Sequence, residues 1–185
     1  AVHALIGSDM QGFSNGAVVT ASHNPPEYTG FKFCLDEGLA MSRENGMKDI
    51  QEIYEERNFD TGEGGLEERN LEEDYIEAVS ELFEVDIEIA VNYGNGVTAE
   101  IAPDLFEKIG CEVTNVNEEI DGNFPNHLPD PTNEEAQKAL KEKMNDEDLG
   151  IILDGDGDRA GFIYGERYIT EDEVIALFSQ RLLEE

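Results

Sequence analysis

Apolar residues recur along this chain at two spacings, and the change from one to the other outlines its elements. Met47, Ile50 and Tyr54 are spaced for one face of a helix over 42–57. Tyr75, Val79, Leu82 and Phe83 do the same over 71–82, and Val174, Leu177, Phe178 and Leu182 form a further stripe. Residues 17–20, 87–91, 112–116 and 150–153 read as strands. Ile101, Leu105 and Ile109 make a helical face that Gly110 is placed to terminate, and Pro103 sets its start near Ala102 or disturbs its first turn. Asn70…Glu73, Thr132…Glu135 and Thr170…Glu173 each have the capping-box spacing of a helix start. Residues 87–153 therefore run strand, helix, strand, helix, strand, the order of a parallel sheet with crossover helices. The fold class is α/β, with mixed or parallel sheets. Residues 60–65, rich in glycine and acid, form the best linker, and 121–131 form a long loop of the functional or mobile kind.

Charge changes this picture more than composition does. Among 185 residues, 44 are acidic and 12 basic, for a net charge of -32. A small soluble domain commonly carries a charge of magnitude about 2–8. The acid is spread over nearly every segment, which suits a protein adapted to concentrated salt, where repulsion is screened within about 3 Å at 1 M. Such a field repels nucleic acid and anionic membranes, so neither is expected as a partner. No apolar run approaches the roughly 18 residues of a membrane span, and no signal peptide precedes Ala1. Cys34 and Cys111 stand in dissimilar contexts and outside metal-ligand spacing, which fits a reduced, cytoplasmic protein. The start without Met suggests a piece of a longer chain.

Two strings carry the chemistry. Asp154-Gly155-Asp156-Gly157-Asp158-Arg159 sets three carboxylates on alternate positions after the apolar run 151–153. In an extended segment alternate residues share a face, so the acids converge and repel unless a hard cation such as Mg²⁺ joins them. An exposed acidic turn is the plain alternative. An EF-hand fails, because Arg159 occupies its glycine position and Gly165 the position of its bidentate glutamate. An aspartyl-nucleophile phosphatase would need further motifs that 160–185 do not carry.

The second string is Thr20-Ala21-Ser22-His23-Asn24-Pro25, which presents Ser22 between an apolar stretch and a rigid turn. Neighbouring side chains point apart in extended structure, so His23 is not expected to act as base for Ser22. A hydrolytic triad also lacks its glycine-flanked serine elbow, and the other histidines are His3 and His127. In Gly30-Phe31-Lys32-Phe33, the two phenylalanines should share a buried face with Lys32 opposite, as phosphate partner, proton carrier or surface ion pair. Gly94-Asn95-Gly96 reads as a tight strand-to-helix turn before an anion cradle. His127 reads as a hydrogen-bonding surface residue of its loop.

These strings together resemble the α-D-phosphohexomutases, the phosphoglucomutase/phosphomannomutase family. The serine loop with its continuation through Gly30-Phe31-Lys32-Phe33 is similar to that family's phosphoserine loop, and 154–159 to its metal loop. Residues 121–129 and 94–96 match weaker family strings; Thr29 and Asp130 stand where asparagine is usual. The resemblance implies a partial multi-domain architecture: the end of domain 1 in 1–65, domain 2 in 66–165, and the first helix of domain 3 in 166–185. It implies transfer of phosphate between the 1- and 6-positions of a hexose phosphate, through phosphorylated Ser22 and a hexose 1,6-bisphosphate. Asp154, Asp156, Asp158 and a phosphate oxygen at Ser22 would hold one Mg²⁺. Arg159 and Lys32 would be catalytic and bind phosphate, and His23 and Asn24 would shape the serine loop and contact phosphate. The Thr-Ala-Ser form leans toward glucose or mannose phosphates. The segment alone should be inactive, since the loops that grip the sugar and distal phosphate have no counterpart in it. The rival from another class is a non-catalytic, metal-binding acidic fragment or interaction module.

Overall fold

The computed structural model describes residues 15–184; His3 and Glu185 lie outside them. The described residues divide into two compact units, one comprising 15–20 with 30–75, the other 21–29 with 76–184.

In the first unit, β1 (Gly16–Val19) pairs antiparallel with β2 (Phe31–Cys34), Val19 opposite Phe31. Phe31 and Phe33 share a face as alternation requires, their rings stacked with centroids 6.0 Å apart. That face is not buried: Phe31 is 59% exposed and, with Phe33, Met41, Ile50 and Tyr54, borders an open groove. The expectation of a buried pair fails because a two-stranded ribbon has one helix to set against it. Ser42 caps the following turn through the Glu44 N–H, and Asn45 and Gly46 break the helical path. The regular helix α1 (Lys48–Glu56) follows and ends at left-handed Arg57. Residues 58–70 are exposed and without regular structure, as the linker composition suggested. Asn70 Oδ1 then accepts the Glu72 N–H at 2.9 Å, opening α2 (Glu72–Ser80).

The second unit is a five-stranded sheet in the order β4-β3-β5-β6-β7. β3 (Ile87–Asn92) lies at its parallel heart, flanked by β4 (Cys111–Val116) and β5 (Leu149–Leu153). The crossovers are α3 (Ala102–Lys108), with proline in its first turn, and α4 (Glu134–Lys141). Because side chains alternate across a strand, β3 feeds two cores. Ala90 packs with Val116, Ala136, Leu140, Ile152 and Ile163, while Ile89, Val91 and Tyr93 meet Phe106 and Ile109 on the other face. Burial on both faces is why Ile89, Ala90 and Val91 are apolar in succession.

Two differences from expectation appear here. α4 is capped by Asn133, whose Oδ1 accepts from Glu135 and Ala136 N–H, so the Thr132…Glu135 box does not form. Thr132 instead donates its N–H and hydroxyl to Asp130. The sheet also continues antiparallel through β6 (Ala160–Tyr164) and β7 (Arg167–Ile169), joined by a turn with Gly165 at φ 58. α5 (Glu171–Leu183) starts at Thr170 with both capping-box bonds. Its stripe is open: Leu177, Phe178 and Leu182 are all exposed. No helix among the described residues is long and apolar enough to cross a membrane.

Candidate metal and phosphoryl site

β5 delivers its last residue to the carboxyl end of the parallel strands, and the next six turn back into β6. The turn closes with Asp154 N–H on Arg159 O at 3.2 Å and Gly157 N–H on Asp154 O at 3.2 Å. It is therefore a compact turn, not the extended segment the alternation implied, with Gly157 at φ 72. The acids converge all the same: one oxygen from each of Asp154, Asp156 and Asp158 can be chosen so that all lie within 4.8 Å. Asp154 and Asp156 are buried. Burial, joined by the charges of Asp156 and Asp158, pushes the Asp154 carboxyl above its ordinary range, although the Arg159 N–H groups oppose it. Three hard oxygen donors under mutual repulsion fit a divalent cation, which would relieve the strain.

Ser22 meets this turn from 132 residues away in sequence. Its hydroxyl lies 3.2 Å from Asp154 Oδ2 and 3.3 Å from Asp156 Oδ1, two alternative acceptors for one proton. The backbone at Ser22 has φ 56, a left-handed conformation that costs a non-glycine residue on the order of 1–3 kcal/mol. This overturns the argument from extended geometry about His23, whose Nδ1 sits 3.3 Å from Ser22 Oγ. Asn24, although exposed, turns its side chain back on its own loop, donating to Ala21 O at 2.8 Å. The approach is close: a Cβ on Gly155 would lie 2.7 Å from Ser22 O. Arg159 donates its Nε to Asp154 Oδ2 at 3.1 Å and lies 3.8 Å from Asp158 and 4.0 Å from Asp130. Thus Ser22, His23, the three acids and Arg159 come together in the sheet unit, and Lys32 belongs to β2 in the other unit.

Sequence reasoning missed the device that steadies this site. His127 is buried, not a surface residue. Its Nδ1 bonds Leu128 O at 2.8 Å, and Nε2 receives Asn92 and Asn117 at 3.0 and 3.1 Å. Asn92 also accepts the Gly94 N–H, so the polar ends of β3 and β4 lock the 121–131 loop. The signal was an asparagine closing the apolar run 87–91. Gly94-Asn95-Gly96 is the tight turn expected, with Gly94 and Asn95 both at positive φ.

A family model described as phosphoglucomutase/phosphomannomutase, alpha/beta/alpha domain II, matches residues 73–167, and that for domain I matches 2–61. The chain belongs to the phosphoglucomutase/phosphomannomutase family. It is 36% identical over 171 residues to a phosphomannomutase/phosphoglucomutase of Pseudomonas aeruginosa, covering 90% of this chain and 36% of that protein. A probable phosphoglucosamine mutase of Methanopyrus kandleri is 35% identical over 184 residues, with 95% and 40% covered. The crystal structure of a family protein from Burkholderia thailandensis matches with a TM-score of 0.84 at 34% identity, covering 93% of this chain and 38% of that one. This family member spans less than half the length of those relatives.

Proposed function

We propose that this chain carries the phosphoryl-transfer half of a phosphohexomutase acting between hexose 1-phosphate and hexose 6-phosphate. The observation that supports it is Ser22 Oγ within 3.3 Å of two buried carboxylates contributed by a distant loop. In this reading Ser22 Oγ carries a phosphoryl group and gives it to the free hydroxyl of a hexose monophosphate, forming a hexose 1,6-bisphosphate. After the sugar turns over, the other phosphoryl group returns to Ser22. Asp154, Asp156, Asp158 and a phosphate oxygen on Ser22 would hold one Mg²⁺, which when bound stabilises charge on the transferring group. Arg159 steadies the phosphoryl oxygens, His23 and Lys32 serve phosphate binding and proton balance, and Asn24 keeps the loop in shape. The names of the relatives favour glucose and mannose phosphates, with glucosamine phosphate represented too. The matched ranges favour a boundary between domains 1 and 2 near residue 65 and an end to domain 2 near 165.

The test is intact-mass spectrometry after incubation with glucose 1,6-bisphosphate and Mg²⁺. One phosphoryl group should appear on Ser22, and both Ser22→Ala and Asp156→Asn should prevent it. Turnover of hexose phosphate should require a chain of the relatives' full length, since orientation supplies on the order of 7–11 kcal/mol in favourable cases. A wild-type chain that takes up no phosphoryl group would leave a metal-binding acidic module as the better account.

A further inference from the structure

Arg159 is held to Asp154 by two bonds of different permanence. Its backbone N–H donates to Oδ1 at 3.1 Å and is fixed by the turn. Its Nε donates to Oδ2 at 3.1 Å from the end of a flexible side chain, 41% exposed. Oδ2 is also addressed by the Ser22 hydroxyl. A carboxylate oxygen offers about two lone-pair positions, so Nε and the Ser22 hydroxyl together fill those of Oδ2. A cation that takes Asp154 through Oδ2 has to displace one of them. The guanidinium is the donor that a cation also repels, and its side chain is free to swing while the backbone N–H is not.

The displaced charge has a receiver close by. Nη1 lies 4.0 Å from Asp130 Oδ2, about an ångström beyond a hydrogen bond. Asp158 is as near, but it belongs to the same triad that would face the cation. Asp130 stands outside the triad and is fixed in place. Thr132 N–H and Oγ1 hold its Oδ1 at 2.9 and 2.7 Å. Its own N–H bonds Leu128 O at 2.8 Å, and its carbonyl receives Asn133 N–H at 3.0 Å. The preceding residues are pinned in turn by the buried His127. Burial works against the charged form of Asp130, yet the Thr132 bonds and the charges of Arg159 and His23 outweigh it and hold its carboxyl below the ordinary range. The receiver is therefore a rigid anion aimed at a mobile cation.

Resting on the metal reading above, we propose that Asp130 is a positioning residue that receives the Arg159 guanidinium when a divalent cation takes Asp154. The arginine then stays beside Ser22 instead of leaving for solvent, and cation binding and arginine position become coupled.

A double-mutant cycle read by Mg²⁺ titration calorimetry tests this on the 185-residue chain. Asp130→Asn keeps the shape and an acceptor for Thr132 but removes the charge. It should weaken Mg²⁺ binding about threefold or more when Arg159 is present, and less than about twofold in an Arg159→Gln background. Equal losses in both backgrounds would mean that Asp130 acts by long-range charge alone and would overturn the proposal. A second readout needs no variant to fold well: the Arg159 side-chain N–H signals of the unmodified chain, followed by NMR. They should shift on saturation with Mg²⁺ and stay protected from exchange. Signals that do not move, or that vanish into exchange, would also overturn it. Failure of the wild-type chain to bind Mg²⁺ at all would remove the metal reading and this proposal together, whereas binding with equal losses removes the proposal alone.

Discussion

β3 and α5 are both rich in large apolar residues, yet one is sealed and the other open. Ile89, Val91 and Tyr93 are at most 2% exposed, because α3 covers one face of the strand and α4 the other. Leu177, Phe178 and Leu182 on α5 are each more than 60% exposed. The apolar pattern is equally regular in both places. What differs is the neighbour: a crossover helix must return over its own sheet, whereas a stripe at the end of a segment depends on whatever is brought to it. The site follows the same division. The three acids hang on a turn whose roots, β5 and β6, are in the sealed sheet, so their spacing is fixed by a packed scaffold, whereas the loop that carries Ser22 runs between β1 and β2.

The widest contrast should come from truncating one leucine on each side of that division. Leu140 is wholly buried among Ala90, Val116, Ile152 and Ile163. Leu140→Ala should therefore cost ~2–5 kcal/mol. Leu177→Ala, on the open stripe, should stay within ~0.5 kcal/mol. Urea denaturation of both variants measures the difference. Comparable losses would show that the α5 stripe is covered in solution and would break the comparison.

Glycines sharpen it next. A Cβ on Gly155 would lie 2.7 Å from Ser22 O and 3.2 Å from Pro129 Cγ, whereas one on Gly62 in the linker meets nothing within 4 Å. Gly155→Ala should cost ~1–3 kcal/mol by overpacking and push the serine loop off the acids. Gly62→Ala should be neutral or slightly stabilising. Equal thermal midpoints for the two variants would mean that Ser22 does not rest on this loop.

Most of the sheet unit was legible in advance because its signals are local. The local residue pattern marked β3, β4 and β5, Gly110 ended α3, and Thr170 opened α5. The errors lie where a choice depends on neighbours. Thr132 and Asn133 are both good caps, and Asp130 decides between them by engaging Thr132. β6 and β7 are short, and their pairing is set by a turn at Gly165 more than by any run of residues. The site residues were legible as chemistry but not as geometry. Asp154 to Asp158 converge through a turn, and His23 reaches Ser22 because Ser22 is left-handed, a conformation no residue pattern announces. Burial of Phe31 was misjudged for the reason α5 is open: a pattern names the apolar face, and packing determines whether it is covered.

Salt should expose the same division in the whole chain. With a net charge of -32, self-repulsion is strong at low ionic strength and screened at molar salt. If the acid reflects adaptation to concentrated salt, molar KCl should raise the thermal midpoint by more than ~2–4 °C, the shift given by about 1 kcal/mol in a chain of this size. On dilution, α1 amides should lose exchange protection before those of β3, since α1 buries none of its residues. A midpoint that is flat from low to molar salt would remove the halophile reading and leave the mutase reading untouched.

The smallest effect concerns the open helix itself, which keeps its start without tertiary cover. Glu173 accepts the Thr170 N–H at 3.0 Å and its hydroxyl at 3.1 Å, and Thr170 accepts the Glu173 N–H in return. Thr170→Ala should cost about 0.5–1 kcal/mol, as loss of a cap does. The Thr170 backbone bond first, and then the Arg167 side chain, hold the Glu173 carboxyl below its ordinary value of 4.5. The folded chain therefore binds this proton less tightly than the unfolded one. Its contribution is complete above 4.5, and it is lost as pH falls through the lower folded value. With 43% of its side chain exposed, solvent screening makes the contribution slight and sensitive to salt. Amide exchange at the first turn of α5 should accelerate in acid, beyond the intrinsic pH trend, in the wild type. Glu173→Gln, which keeps an acceptor but does not titrate, should flatten that dependence. An unchanged acid dependence in the variant would mean that the first turn of α5 is held by something other than this box.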